Sequence, residues 1–162
     1  GREAALHSLA FSPDDRSIVA GYDDGDVVFV AATDGSPQAP ALHVPSIPLA
    51  LAFCEAGRLL AIGTDSGEIH LYDLRSRRTR SVIKGHTSRV NALATFPDGT
   101  TLISGGRDKE LKLWDTASGE LLTTLSGHVR QVFSISVSPD GGTIASGGLE
   151  GDVRIWRSRE AF

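Results

Sequence analysis

Residues 103–115 read ISGGRDKELKLWD and carry Ser104 and Asp108, and His86 stands shortly upstream in the dipeptide Gly85-His86. A serine hydroxyl, an imidazole to take its proton and a carboxylate to orient the ring are the parts of an acyl-transfer triad. Trp114, at the end of the stretch, has no role in such a triad. A second set follows downstream: His128, Ser146 and Trp156 each stand 42 residues after His86, Ser104 and Trp114, with Glu150 in the column of Asp108. An enzyme needs one nucleophile in one cleft, whereas a structural device is needed once in each repeated unit. The recurrence favours the structural role, and no catalytic residue is expected.

The step of 42 residues runs through the whole chain. Phe96-Pro97-Asp98-Gly99 returns as Ser138-Pro139-Asp140-Gly141. Gly21, Gly63, Gly105 and Gly147 share a column, as do Leu9, Leu51, Leu93 and Ile135. Three further apolar columns are Ile18, Leu60, Leu102 and Ile144; Val27, Ile69, Leu111 and Val153; and Phe29, Leu71, Leu113 and Ile155. These residues must sit on short strands. In the third unit, 90–95, 101–104, 111–114 and 121–125 are β-compatible and are separated by Pro97-Asp98-Gly99, Gly105-Gly106 and Ala117-Ser118-Gly119. No segment has a sustained helical period. Four strands in roughly forty residues, repeated, is the pattern of propeller blades. The expected fold is all-β: one domain of four units, 1–42, 43–84, 85–126 and 127–162, each an antiparallel four-stranded sheet, with the last unit incomplete.

Gly-His, Ser-Pro-Asp-Gly, Ser-Gly-Gly and Trp-Asp at this spacing resemble WD40 repeats, strongly in the third and fourth units and weakly in the first two. The resemblance implies a hydrogen-bonded tetrad in each complete blade: His86, Ser104, Asp108 and Trp114, and again His128, Ser146, Glu150 and Trp156. The longer side chain of Glu150 is expected to fit this geometry less well than an aspartate. The second unit has Val44, Ile62, Ser66 and Tyr72 in the four columns, and the first has Arg2, Ala20, Asp24 and Val30. Those units are expected to hold by apolar packing, with Val44 and Ile62 filling the space of the tetrad.

The resemblance also implies a binding surface around the channel entrance. The column before the tetrad aspartate holds Asp23, Asp65, Arg107 and Leu149. The start of the innermost strand contributes His7, Leu49, Asn91 and Phe133, with Ala5, Ile47, Arg89 and Gln131 two places earlier. The candidate partner-binding residues are therefore Arg89, Asn91, Arg107, Gln131, Phe133, Leu149, Asp23 and Asp65, with aromatic and arginine side chains as anchors. A peptide or partner domain is the expected ligand and scaffolding the expected function. The alternatives are a sensing or regulatory module of a larger enzyme, and nucleic-acid or anion binding through Arg75, Arg77, Arg78 and Arg80. Charge that protects an edge strand is the plainer reading of that run.

Composition narrows the classes further. A net charge of −4 gives no general attraction to nucleic acid or anionic lipid, and no apolar run approaches the roughly 20 residues of a membrane helix. The single cysteine, Cys54, has no activating cation beside it and reads as a core residue in a reducing, cytoplasmic setting. His7, His43 and His70 have no partner at metal-ligand spacing, and the acidic column Asp26, Glu68, Glu110 and Asp152 reads as turn carboxylates. No metal and no cofactor are expected. The chain contains no methionine, so a processed chain or a segment of a larger protein is expected. Three arrangements would complete its last blade and cover its ends: a larger propeller, which is favoured, two copies forming one ring, or a four-bladed ring closing alone.

Overall fold

A computed structural model describes residues 3–157. Each unit of the sequence builds one antiparallel sheet, and the sheets stand side by side as propeller blades. Blade 1 contains β1 (Leu6–Phe11), β2 (Ser17–Tyr22), β3 (Asp26–Ala31) and the two-residue β4 (Leu42–His43). Blade 2 contains β5 (Pro48–Cys54), β6 (Leu59–Thr64), β7 (Glu68–Asp73) and β8 (Arg78–Lys84), and blade 3 contains β9 (Val90–Thr95), β10 (Thr101–Gly106), β11 (Glu110–Asp115) and β12 (Leu121–Ser126). Blade 4 has three strands among the described residues: β13 (Val132–Val137), β14 (Thr143–Gly148) and β15 (Val153–Arg157). The innermost strands β1, β5, β9 and β13 follow one another along the channel.

The strands form where two-residue alternation meets two apolar neighbours. In β11, Leu111 and Leu113 face blade 4, while Trp114 faces blade 2. A strand buried on both faces needs apolar or satisfied side chains at successive positions, which is why ELKLWD alternates imperfectly. Lys112 is buried along its stem and meets Glu110 Oε2 at 2.6 Å. The turns close on aspartate: Asp98 Oδ1 accepts from the N–H groups of Thr100 at 2.7 Å and Thr101 at 2.8 Å.

Three apolar junctions hold the blades together. Val19, Val27 and Phe29 of blade 1 meet Leu51, Leu60, Ile62 and Tyr72 of blade 2, with Val44 from the connection between them. Leu59, Ala61, Ile69, Leu71 and Ile83 of blade 2 meet Val90, Leu102 and Trp114 of blade 3. Phe96, Ile103, Leu111, Leu113 and Leu125 meet Val132 and Ile144 of blade 4. Truncating one such leucine or isoleucine to alanine costs about 2–5 kcal/mol. Blades 2 and 3 thus each offer one face to the blade before and the other to the blade after.

The glycine column makes the close approach feasible. A Cβ on Gly63 would lie 2.7 Å from Val90 Cγ1, and one on Gly105 would lie 2.7 Å from Val132 Cγ1 and 2.8 Å from Ile135 Cδ1. The next blade's innermost strand is seated directly on these glycines.

Candidate functional site

The third blade contains the full hydrogen-bonded tetrad. His86 is held at the end of the connection from blade 2, Ser104 lies on β10, Asp108 lies in the β10–β11 turn and Trp114 lies on β11. Trp114 Nε1–H donates to Ser104 Oγ at 2.7 Å, and Ser104 Oγ lies 2.6 Å from His86 Nε2. His86 Nδ1 is 2.9 Å from Asp108 Oδ2, which also accepts from the Thr87 N–H at 3.0 Å.

The ionised Asp108 can only accept, so His86 Nδ1 carries a proton facing it. With the ring neutral, Ser104 accepts from Trp114 and gives its own proton to Nε2. Burial alone would raise the Asp108 carboxyl, but the His86 ring and the Thr87 and Glu110 amides hold it below its ordinary value of 3.8. The Ser–His–Asp order matches a hydrolase triad, yet Ser104 is fully buried and its lone pair is engaged by the indole. No substrate carbonyl reaches that oxygen, so this arrangement supports the blade rather than acyl transfer.

The fourth blade repeats the network. His128 Nε2 lies 2.7 Å from Ser146 Oγ, which accepts from Trp156 Nε1 at 2.9 Å, and His128 Nδ1 pairs with Glu150 Oε1. Glu150 reaches the ring but fits less fully than Asp108 does, because its Oε2 is buried without a hydrogen-bond partner among the described residues. Gly148 supplies the room, since a Cβ there would overlap the glutamate carboxylate. In blade 2, Val44, Ile62 and Tyr72 lie in one apolar cluster and replace the polar set. In the first unit, Arg2 is outside the described residues.

The channel-face candidates come together in pairs, one in each blade. The N–H groups of Asp23, Asp65, Arg107 and Leu149 donate to the carbonyls of Ala5, Ile47, Arg89 and Gln131 at 2.9–3.1 Å. Asp23 and Asp65 return a bond through Oδ1 to the amides of Ala5 at 3.0 Å and Ile47 at 2.9 Å. Both carboxylates therefore close their own turns as well as facing solvent, and they line a polar pocket of about 290 Å³ with Asp24, His43 and Ser46. Arg89 and Arg107 are exposed, and neither guanidinium has an ion-pair partner among the described residues.

Asn91 is engaged within the array. Its Nδ2 donates to Val132 O at 2.8 Å and ties blade 3 to blade 4. Phe133 occupies the same column in blade 4, half exposed, with no blade beyond it among the described residues. Leu149 is exposed beside Gln131 on the entrance rim.

Half of the arginine run ties blades together. Arg77 donates to Pro40 O at 3.0 Å, and Arg80 donates to Glu55 Oε1 at 3.0 Å and to Ala117 O at 3.3 Å. These contacts were hidden in the sequence because two of their three acceptors are backbone carbonyls. The acidic column is dispersed rather than convergent: Glu68 meets Lys84 Nζ at 3.1 Å, and Asp26 meets His43 Nδ1 at 3.0 Å. Among the described residues no three His, Cys, Asp or Glu side chains gather as a metal would require. Burial pushes the Cys54 thiol up to about 11, far from a reactive thiolate.

Residues 2–156 match the model of the family described as Nucleolar protein 10-like, N-terminal domain, a β-propeller family. Among solved structures, the chain superposes on the WD40 repeats of RRP9 with a TM-score of 0.83 at 25% identity, covering 96% of this chain and 49% of that one. It superposes on U3-55K with a TM-score of 0.79 at 21% identity, covering 97% and 53%. The chain spans about half the length of each. No curated protein matches it.

Proposed function

Because the chain belongs to the family of Nucleolar protein 10-like N-terminal propeller domains, we propose that it is a non-catalytic scaffold whose channel face binds a peptide or a partner domain. The observation that carries this reading is the pair Arg89 and Arg107, held together by a 2.9 Å backbone bond and exposed without a carboxylate partner among the described residues. Charge left unpaired on a rigid rim is available to an acidic group of a partner. Asp23 and Asp65 place the opposite sign on the sector formed by blades 1 and 2. A ligand with both signs would therefore bind in one orientation, and Phe133 and Leu149 add apolar area at the far end.

The test is capture of binding partners by the wild-type chain and by Arg89→Glu/Arg107→Glu, followed by titration of each partner identified. A partner at this rim loses at least tenfold in affinity with the double variant and is unaffected by Arg78→Glu on the outer strand β8. Equal losses from both variants, or none from the rim variant, would remove the channel face from the proposal. Nucleic-acid binding through the arginine run has less support, because Arg77 and Arg80 are already engaged. It would appear as binding that collapses with salt and with Arg75→Glu/Arg78→Glu. We infer a reducing compartment from Cys54. The cytoplasm in particular has no support from a family whose name is nucleolar.

A further inference from the structure

Blade 3 and the connection that leaves it concentrate positive charge on the channel face. Arg89, Arg107, Lys109 and Arg130 are all exposed, and none has an ion pair or a side-chain hydrogen bond among the described residues. The matching positions of the other three units hold no basic residue, and two of them, Asp23 and Asp65, are acidic. Blade 3 has a neighbour on either side. Its exposed cations therefore do not depend on where the array ends, unlike Val153 of blade 4, which is 73% exposed.

The turn that carries Arg107 and Lys109 is anchored by the residue between them. Asp108 directs its carboxylate inward, with Oδ1 and Oδ2 at 3.0 and 2.9 Å from His86 Nδ1 and Oδ2 also accepting from the Thr87 N–H. The one aspartate of the turn is thus committed to the tetrad, and the cations on either side of it are left to solvent. Lys109 has a left-handed backbone, with φ of 74°, where the other three units have Gly25, Gly67 and Gly151. A Cβ on Gly67 would lie 2.8 Å from His86 O and 2.9 Å from Ser88 O, so blade 2 excludes a side chain there. Blade 3 instead holds a lysine in a conformation that L residues rarely adopt, and no contact among the described residues stabilises its ammonium. His128 and Arg130 stand 42 residues beyond His86 and Ser88, so the repeat sets Arg130 against Lys109 as it sets Ser88 against Gly67.

We propose that this sector binds a phosphoryl group on a phosphorylated serine or threonine of a partner peptide, a reading that rests on the channel-face site proposed above. A carboxylate carries one charge and fills one arginine fork, whereas a phosphorylated hydroxyl brings nearly two charges and three acceptor oxygens. Arg89, Arg107 and Lys109 lie on two segments joined by a 2.9 Å backbone bond and supply donors for those oxygens, and Arg130 extends the charge toward blade 4. The rest of the face favours a peptide over a nucleic acid. Across blades 1 and 2 it is acidic, with Asp23, Asp24 and Asp65 around the hollow of about 290 Å³. A phosphodiester strand repeats its charge at every nucleotide and would run from the cations onto these carboxylates, on a chain that is −4 overall. A single phosphoryl group takes the basic sector alone and leaves the acidic one to a basic residue of the same peptide.

Retention of peptide mixtures on the immobilised chain tests the proposal. Three mixtures with degenerate flanks carry, at one fixed position, phosphoserine and phosphothreonine, the unmodified pair, or glutamate. The phosphorylated mixture is expected to be retained about tenfold more strongly than either of the others. Lys109→Gly and Arg130→Ser place in blade 3 the residues that blade 2 and its outgoing connection already use. Lys109→Gly also removes the left-handed lysine, so it is expected to keep the wild-type thermal midpoint while retention of the phosphorylated mixture falls about tenfold. Equal retention of the glutamate mixture overturns the proposal, as does the absence of retention or retention that Lys109→Gly/Arg130→Ser leaves unchanged. A uridine oligonucleotide that binds more tightly than the phosphorylated mixture, and is lost with the same variants, overturns it in favour of nucleic acid. Partners that lose affinity with Arg89→Glu/Arg107→Glu but not after phosphatase treatment leave the channel-face reading standing and remove this one.

Discussion

Ser104 stands between two buried groups that have no other partner in the tetrad. Replacing it with alanine leaves the Trp114 indole N–H and His86 Nε2 unmet inside the blade. Stability is expected to fall by about 1–3 kcal/mol, measured as a shift of the urea midpoint at unchanged slope. Asp108 adds a pH dependence with a definite sign. Its carboxyl titrates lower in the folded chain than its ordinary value of 3.8, so its contribution is complete above about pH 4 and is lost as pH falls through the native value. Asp108→Asn is expected to be less stable than wild type at neutral pH and to show a flatter loss below pH 4, read from thermal midpoints at stepped pH. The tetrad members were legible through the resemblance to WD40 repeats, and the recurrence of His, Ser and Trp 42 residues apart supported a structural role. The reach of Glu150 was not, because it depends on space above Gly148 that residue type alone does not show.

At the scale of the strands, the glycine column separates interior blades from the end of the array. Gly105→Ala on β10 forces a methyl against Val132 and Ile135, and it is expected to cost about 1–3 kcal/mol as an overpacked junction. Gly147→Ala on β14 meets only the Ser134 hydroxyl, which can rotate away, and is expected to leave the fold of a single chain nearly unchanged. Paired thermal melts of the two variants check the contrast. The strand positions of the third unit were readable from alternation and turn residues, with the observed β10 and β11 two residues longer and β12 one. The interblade ties were not readable. Asn91 to Val132 O, Arg77 to Pro40 O and Arg80 to Ala117 O all end on carbonyls, which every residue has.

Across the whole molecule, the unit boundaries follow from the repeat, and the four blades follow from the units. The openness of the ends does not appear in the columns, since Val153 and Val27 look equivalent until their neighbours are counted. The same is true of the channel rim: Arg89 and Arg107 are adjacent only because the β10–β11 turn folds back on the start of β9. The uneven distribution of the tetrad has a further consequence. Tandem copies of one unit risk pairing with the wrong neighbour while the chain folds, a characteristic failure of repeat proteins. Here the units are not interchangeable. Val44 and Ile62 cannot satisfy an indole N–H, and the Ser104 and His86 pair cannot be buried against the greasy surroundings of Tyr72 without losing its partners. Blades 1 and 2 and blades 3 and 4 therefore exclude each other's interior chemistry, which gives a repetitive chain a means of finding its own order.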